Sequence, residues 1–478
     1  MPTIEDTQTA LNIVWTMIAA FLVMFMQAGF TLVECGLTRA KNVANTAAMN
    51  FMVYSIGVLG YWAIGFGLQM GGAGPLTTLG GDASLSREFV VMVAERSHGL
   101  FGLKGFFLQP ELFTPAVAAM FLFQAVFMGT AATIPTGALA ERWKFASFVL
   151  FSFVVSTVIY PVYANWVWGG GWLSALGRNF GFGHGHVDFA GSSVVHLTGG
   201  VLALVGAQVL GPRIGKFGIN GSVRAIPGHS APMLVLGTFI LAFGWFGFNA
   251  GSTLSGMDGR LAVVAVNTML SCAAGAFAAC LYTWARFGKP DLSMMCNGLL
   301  AGAVAITAPC AFVSSFSAIV IGAIGGVLVV AASLYIEHEL RIDDPVGAIS
   351  VHGVNGAWGA LALGLFADGT YGDGMNGVYG PVRGLFYGDA GQLVSELIGI
   401  ASNVLWVGFL ALATLSILER LVGNRVSVAD EQRGLDVAEL GLEGYPPQDE
   451  LDPYTVPRPR ESLPPPMLPI RVNAQSGH

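Results

Sequence analysis

The chain has 478 residues, of which 54% are hydrophobic and only 11% are charged, whereas an average globular protein has roughly 25% charged residues. This composition excludes an ordinary soluble domain and predicts a protein embedded in a membrane. The formal net charge is −7, and we expect no nucleic-acid partner.

Ten windows of the sequence contain no Asp, Glu, Lys or Arg, and each is at least as long as the about 18 to 20 residues that a spanning helix needs. They are residues 10–33, 42–81, 112–140, 145–177, 189–212, 225–257, 261–285, 292–336, 345–367 and 397–418. The window 292–336 has room for two helices, and the segment TAPC at 307–310 supplies a break between them. The sequence therefore predicts eleven membrane-spanning helices. A transmembrane β-barrel would show short alternating segments instead.

The loops predict an orientation and a division into parts. If the first helix runs inward, the inner loops hold more Lys and Arg than the outer loops, and the positive-inside rule then places the N-terminus outside. Residues 1–422 are predicted to form the membrane domain and residues 423–478 a cytoplasmic tail. Within this tail, residues 446–478 are rich in proline and charge, and we expect them to be disordered.

Two segments of the chain repeat the same frame, DFAGSSVVHLTGG at 188–200 and DPVGAISVHGVNG at 344–356. The matching pairs are Asp188 and Asp344, Gly191 and Gly347, Val195 and Val351, His196 and His352, and Gly200 and Gly356. Five predicted spans precede roughly residue 213, and five more follow up to residue 367. Because each half has an odd number of spans, the second half must enter the membrane from the opposite side. The sequence thus predicts a five-plus-five inverted repeat with a site at the interface between halves, closed by an eleventh helix.

The spacing within each frame predicts the depth of the two histidines. Each Asp is expected to cap its helix by accepting from free amides of the first turn. His196 and His352 each follow the capping Asp by eight residues, a descent of about 12 Å at about 1.5 Å per residue. In a hydrocarbon core of about 30 Å, the two rings are predicted to meet near the midplane.

Several interpretations of these histidines are open. A single buried histidine is often a packing residue, but ionisable residues inside spans mark functional sites by default, and here the pattern repeats. A closed metal site needs more ligands than two histidines, and no nucleophile with a recognisable signature accompanies them, so we expect no metal, no cofactor and no enzymatic activity. Two imidazoles edge to edge present a donor and an acceptor, which suits a small neutral hydrogen-bonding molecule or a proton passed between the rings.

Six motifs resemble the ammonium transporter family, which includes the bacterial and plant Amt proteins, the yeast Mep proteins and the animal Rh proteins. They are GFTLVECGLTRAKN (29–42), GALAERWKF (137–145), VWGGGWLS (167–174), DFAGSSVVHLTGG (188–200), GWFGFNAGS (244–252) and DDPVGAISVHGVNG (343–356). The resemblance covers nearly all of residues 10–445 and is strongest to the bacterial Amt type. It implies eleven helices per subunit, a homotrimer with one pore through each subunit, and a place in the cell membrane.

The resemblance also implies roles for individual residues. Trp168 and Ser252, together with Phe127, resemble the outer site that receives ammonium, and Phe127 and Phe248 resemble a pair of stacked phenylalanines above the pore histidines. Asp188 resembles an acidic residue below the outer site, which stabilises charge or accepts a proton. From the residues alone, Trp168 also fits an interfacial belt, and the phenylalanines also fit ordinary core packing. His196 and His352 resemble the twin histidines that line the pore.

Glu34 departs from the family pattern, because many bacterial members have an aromatic residue there. One interpretation is a carboxylate that snorkels or pairs with Arg39 or Lys41. The other is a proton or ammonium acceptor near the inner exit of the pore.

The function implied by the resemblance is transport of ammonium, with deprotonation at the outer site. Ammonia then passes the histidines and the proton follows a separate path, which makes transport net electrogenic. Methylammonium is a candidate second substrate. Two alternatives stay open: an electroneutral Rh-like ammonia channel, and an ammonium sensor that signals through its cytoplasmic tail. The tail segment 430–446 resembles the family segment that meets PII-type signal proteins, although its ELGLEGY part departs from the usual histidine-containing pattern.

Overall fold

The computed structural model describes residues 3–71, 77–80 and 87–445, and within them the chain forms eleven long apolar helices. We label them α1 to α11: Ile4–Leu37, Ala40–Met70, Pro115–Leu139, Phe145–Trp168, Ser192–Leu210, Ala231–Thr253, Arg260–Phe287, Leu292–Thr307, Ser315–His338, Ile349–Phe366 and Ala390–Leu421. Ten of these are long and apolar enough to cross a membrane, and α8 is shorter. The predicted all-helical architecture of eleven helices is confirmed.

Helix α8 is short because it ends inside the protein. It has 16 residues, about 24 Å of helix, and it stops at the predicted TAPC break. Its last carbonyl groups are bonded by the segment before α5: the Ala190 amide donates to the Thr307 carbonyl over 3.2 Å, and the Ser192 hydroxyl donates to the Val304 carbonyl over 2.8 Å. Non-helical backbone is tolerated at this depth because protein groups satisfy it in place of water.

Short elements occupy the loops. Two antiparallel hairpins pair β1 (Glu88–Val93) with β2 (Arg96–Gly102) and β3 (Asp368–Asp373) with β4 (Pro381–Arg383). Short helical turns cover Thr77–Leu79, Phe106–Leu108, Pro110–Leu112, Leu176–Phe180, Met375–Gly377, Leu385–Tyr387, Val428–Arg433 and Asp436–Leu440. Both hairpins lie at the end of the bundle opposite to residues 425–445. We call the end that carries residues 425–445 the tail face and the other end the opposite face.

The inverted repeat is visible in the local structure of its two frames. Asp188 accepts from the amides of Gly191 to Val194, and Asp344 accepts from those of Val346, Gly347 and Ile349. Each histidine then lies in a π-helical turn, Ser192–Leu197 at the start of α5 and Ile349–Val354 at the start of α10. Helix α5 starts from the opposite face and α10 from the tail face. The capping and the inversion predicted from sequence are confirmed.

Two equivalent glycines let the halves of the repeat touch. A β-carbon at Gly200 would overlap the backbone of Gly353, and one at Gly356 would overlap backbone atoms of Ser192 and Leu197. Each glycine therefore lies four residues after its own histidine and against the turn that carries the other half's histidine. Small residues are what allow helix backbones to approach this closely in a membrane.

Ion pairs on the tail face join loops from both halves. Arg213 bonds Asp343 through Nε and Oδ2 at 2.8 Å and also reaches Glu141 at 3.2 Å, while Glu141 accepts from Nε of Arg39 at 2.6 Å. Burial by itself raises the pKa of the Asp343 carboxyl, but hydrogen bonding and charge from Arg213 lower it to about 2. The network thus holds four connections together where they leave the bundle.

The chain after α11 folds back onto the same face. Asp436 accepts from the amides of Ala44 and Asn45 near the start of α2, and Glu439 accepts from the amide of Phe145 at the start of α4. Acidic groups at these helix starts satisfy free amides and complement the helix dipole. The segment up to residue 445 is therefore docked on the bundle, and residues 446–478, for which we predicted disorder, lie outside the described residues.

We predict that Gly356→Ala lowers stability by about 1 to 3 kcal/mol, because an added methyl group overpacks the contact between the two repeats. Gly408→Ala is the matched control, since a β-carbon there meets only a Val201 methyl at 3.7 Å. The measurement is the thermal unfolding midpoint of purified protein in detergent. Equal midpoints for the two variants would contradict the proposed close approach.

Candidate functional site

An aromatic cluster lies near the opposite face of the bundle. Phe127 of α3 stacks on Phe248 of α6 with ring centroids 4.1 Å apart, and its edge meets Trp168 at the end of α4 at 6.0 Å. Ser252 follows Phe248 by one helical turn, and its hydroxyl donates to the Phe248 carbonyl over 2.8 Å. Phe127 thus contacts Trp168 and Phe248 directly, and Ser252 lies one turn beyond Phe248 on the same helix.

The cluster changes from partly exposed to buried along its depth. Trp168 and Ser252 are partly exposed, whereas Phe127 and Phe248 are fully buried. The Ser252 hydroxyl donates its proton to the Phe248 carbonyl. Its lone pairs can therefore still accept a hydrogen bond from a cation. The Trp168 indole is fixed by a 2.6 Å bond from Nε1 to the Asp188 carbonyl. This arrangement offers an aromatic face and an oxygen on the partly exposed side of the buried phenylalanine pair.

Asp188 lies behind the cluster and is completely engaged. Its two carboxylate oxygens accept four backbone amides and the Ser193 hydroxyl, at 2.7 to 2.9 Å. The side chain is 3% exposed. The carboxylate therefore shapes the start of α5 and places a fixed negative charge under the aromatic cluster. All five of these groups donate to the carboxylate, two of them to Oδ1 and three to Oδ2.

The twin histidines meet directly below the phenylalanines. His196 Nδ1 lies 3.2 Å from His352 Nδ1, and the ring centroids are 5.2 Å apart. His196 is fully buried and His352 is 5% exposed. The prediction that two residues 156 positions apart meet inside the bundle is confirmed.

The Nδ1 contact determines whether Nε2 of each ring is a hydrogen-bond donor or an acceptor. When both rings are neutral, one Nδ1 carries the shared proton and the other accepts it. The donor ring then has an accepting Nε2 and the acceptor ring has an Nε2–H. Among the described residues, Nε2 of His196 has no hydrogen-bond partner although it is buried. A small molecule in the passage would therefore meet an unsatisfied polar atom here.

Aromatic neighbours hold the two imidazoles in place. His196 stacks on Trp245 at 5.1 Å and on Phe248 at 5.3 Å, and Phe30 lies 5.9 Å from His352. Trp245 is itself locked, because its Nε1 donates to the Thr307 hydroxyl at the end of α8 over 3.0 Å. The sequence analysis did not assign Trp245. Its position three residues before Phe248, on the same helix face, was the available signal.

Glu34 lies in the passage on the tail-face side of the histidines. It lines a small cavity of about 20 Å³ together with Phe30, Asn297, Val346 and His352, among others. A larger cavity of about 620 Å³ shares Asn297 and Val346 with it and opens towards the tail face. Two neighbouring cavities therefore lie between His352 and the tail face, and Glu34 is 3% exposed.

The interpretation of Glu34 as a carboxylate paired with Arg39 or Lys41 is wrong. Arg39 bonds Glu141, and Lys41 Nζ donates to the carbonyl groups of residues 431 and 432. Glu34 accepts instead from Asn50 Nδ2 at 2.7 Å and lies 2.8 Å from the Thr136 hydroxyl. The side chain therefore faces α2 and α3 rather than the loop after α1.

A family model described as the Ammonium Transporter Family matches residues 14–445. The chain belongs to the ammonium transporter family. A protein of Archaeoglobus fulgidus named ammonium transporter Amt2 is 46% identical over 445 residues, which cover 92% of this chain and 90% of the relative. One of Haloferax mediterranei named ammonium transporter Amt1 is 39% identical and covers 91% of this chain and 79% of its own length. The resemblance drawn from the motifs is confirmed.

Solved structures of the family share the fold. A structure named Sensor Amt Protein has a TM-score of 0.80 and 34% identity, and the match covers 91% of this chain and all of that one. Mep2 of Candida albicans has a TM-score of 0.75 and 26% identity, with 89% of each chain covered. The eleven-helix architecture of this chain is therefore the family fold.

In the described part of the chain, no cluster of three or more His, Cys, Asp or Glu side chains is arranged to hold a metal ion.

Other polar residues near the site were not predicted from the sequence. They are Asn50 and Thr136 beside Glu34, and His186, Ser193 and Glu396 behind Asp188. Thr136 and Glu396 each lie more than one hundred residues from their partners Glu34 and His186, so spacing carries no signal for these two pairs.

Proposed function

We propose that this protein transports ammonium across the cell membrane by deprotonating it and conducting ammonia past the twin histidines. The observation that supports this most is the Nδ1 pair of His196 and His352, buried under an aromatic entrance in an otherwise apolar passage. The names of the family relatives point to the same substrate. The protein acts as a transporter and not as an enzyme.

Recruitment takes place at Trp168, Ser252 and Phe127. The quadrupole of an indole attracts a cation with about 0.5 to 2 kcal/mol, depending on desolvation. The Ser252 hydroxyl accepts a hydrogen bond from ammonium, and Asp188 adds a fixed negative charge from below. Because the oxygens of Asp188 are already occupied by five donors, we assign it the role of charge stabilisation rather than proton acceptance.

Deprotonation removes the main barrier to crossing. A bare cation in the hydrocarbon region is expensive, whereas ammonia is neutral and small. The stacked rings of Phe127 and Phe248 separate the entrance from the histidines, and their movement admits ammonia. It then hydrogen-bonds to Nε2 of His196, which is otherwise unpaired among the described residues.

The proton crosses separately through the Nδ1 contact of the two rings. The proton released by ammonium binds the accepting Nε2 of one imidazole, the shared proton moves across the Nδ1 contact to the other ring, and that ring releases the proton of its own Nε2. One positive charge is then translocated with each ammonia, and transport is net electrogenic. The protein works as a homotrimer with one pore per subunit, and its C-terminus lies in the cytoplasm. Docking of a PII-type protein on residues 430–446 stays a prediction.

We expect purified protein in liposomes on a solid-supported membrane to give a transient current after an ammonium jump, and this current to saturate with concentration. The His196→Ala, His352→Ala double variant is expected to lose the current or its selectivity for ammonium, because the proton path is interrupted. An internal pH dye is recorded in parallel. Ammonia entry without current would identify an electroneutral channel and would overturn the electrogenic mechanism.

We also propose that Glu34 exchanges a proton at the inner end of the passage. The Thr136 hydroxyl has one proton and two acceptors in reach, the Thr133 carbonyl at 2.6 Å and Glu34 at 2.8 Å. When Glu34 is ionised, Thr136 donates to it. When Glu34 is protonated, Thr136 turns to Thr133 and accepts from Glu34. Both protonation states are therefore hydrogen-bonded.

Glu34→Gln is expected to lower the saturated current by about 100-fold or more, which is the range that a positioned acid–base group contributes, without changing the half-saturating ammonium concentration. Glu339→Gln removes an exposed carboxylate on the tail face and serves as the control. An unchanged current and pH dependence in Glu34→Gln would remove Glu34 from the mechanism.

A sensing function is the second candidate, supported by the similarity to the structure named Sensor Amt Protein and by the docking of residues up to 445 on the tail face. If the protein senses ammonium, a cytoplasmic protein should be captured in an ammonium-dependent manner by the full chain and not by a chain lacking residues 446–478. Capture that ignores ammonium, together with a saturating current, favours transport alone.

A further inference from the structure

A chain of buried polar groups extends from Asp188 away from the pore. The Ser193 hydroxyl lies 2.7 Å from Asp188 Oδ2, and His186 Nε2 lies 2.8 Å from the same hydroxyl. On the other side of the ring, His186 Nδ1 is 2.6 Å from Glu396 Oε2. Every member of the chain is at most 3% exposed. The transport steps proposed above use only its first member.

The hydrogen bonds assign the protons of this chain. Asp188 acts as an acceptor towards four amides, so the single Ser193 proton points to Asp188. The Ser193 oxygen then accepts, and His186 Nε2 must carry a proton. Only one further proton fits in the 2.6 Å contact between Nδ1 and Glu396. Whether it lies on the imidazole or on the carboxyl, the three groups Asp188, His186 and Glu396 together carry a charge of −1.

The surroundings of His186 contain few other titratable groups. The Tyr163 hydroxyl lies 3.4 Å from Nε2 but donates to the Gly399 carbonyl, and Glu396 Oε1 accepts from the Val187 amide and from Gln392. His184, on the same loop, turns away and bonds the Gly380 carbonyl. Burial alone lowers the pKa of His186, but the neighbouring Glu396 carboxylate outweighs burial and raises it.

We propose that His186 and Glu396 are positioning residues for the outer ammonium site. Glu396 keeps Nδ1 of His186 supplied with its shared proton, so Nε2 stays a donor and the Ser193 proton stays on Asp188. Glu396 also cancels the charge of a protonated His186, so the charge below the aromatic cluster stays at −1 as pH changes. This inference rests on the proposed function, because it is defined by how tightly ammonium binds.

Loss of the carboxylate has two consequences. Without Glu396, neutral His186 can place its proton on Nδ1, and Nε2 then competes with Asp188 for the Ser193 proton. When His186 is protonated instead, its charge cancels that of Asp188 and the attraction for ammonium falls. The second effect grows as pH drops through the ordinary histidine range near 6.5. A glutamine at position 396 prevents both, because its amide can donate to Nδ1 and its oxygen can replace Oε1.

The test measures the half-saturating ammonium concentration from solid-supported membrane currents between about pH 5 and 8, a range that spans the ordinary pKa of histidine. We expect Glu396→Ala to raise this concentration by about tenfold at the acidic end and less at the alkaline end. Wild type, Glu396→Gln and the control His184→Gln should give values within about twofold of one another and little pH dependence. Thermal midpoints are recorded for all variants.

A flat pH profile for Glu396→Ala would overturn the proposal, and so would a Glu396→Gln variant as impaired as Glu396→Ala. If Glu396→Ala does not fold, Ser193→Ala replaces it, since it removes the link to Asp188 and should raise the half-saturating concentration at every pH. An unchanged value in Ser193→Ala also overturns the proposal. Absence of a saturating wild-type current would instead refute the transport function itself.

Discussion

The Nδ1 contact between His196 and His352 is the constraint that both halves of the architecture must satisfy. It joins two histidines whose helices, α5 and α10, start from opposite faces of the bundle. The contact forms only if both side chains lie at the same depth. The Asp caps set that depth by fixing where α5 and α10 begin. Gly200 and Gly356 set the lateral separation, because a side chain at either position would push the halves apart. Inversion of the repeat brings one proton-sharing pair together from a frame that occurs twice.

Charged groups are distributed so that the passage itself contains almost none. The strong ion pairs lie on the tail face, where Arg213 binds Asp343 and Glu141. Two acidic residues inside the bundle accept hydrogen bonds from neutral groups instead of pairing with Lys or Arg. Asp188 accepts from backbone amides, and Glu34 accepts from the side chain of Asn50. A cation that entered from the opposite face would therefore meet Asp188 first, then the two imidazoles, and then Glu34.

Much of the fold and of the pore was predictable from the sequence because the determining signals are local or repeated. Span lengths, the TAPC break and the eight-residue spacing from Asp188 to His196 all follow from the dimensions of helices and bilayers. The partners of Glu34 were not predictable, since nearby Arg39 binds Glu141 instead. The pairing of His186 with Glu396 joins positions more than two hundred residues apart, and no spacing rule links a loop histidine to the first turns of α11.

The two buried carboxylates nearest the passage differ in what their neighbours allow. Asp188 is surrounded by four amides that can only donate, so its deprotonated form is the one that satisfies every bond. Glu34 faces a hydroxyl that can either donate or accept, because Thr136 has the Thr133 carbonyl as a second partner. Amides that can only donate stabilise the charged carboxylate. A hydroxyl group that can donate or accept also allows the carboxylate to gain and lose a proton. The number of carboxylates near a pore therefore says little about proton transfer, and the donors around each one decide which of them can take part.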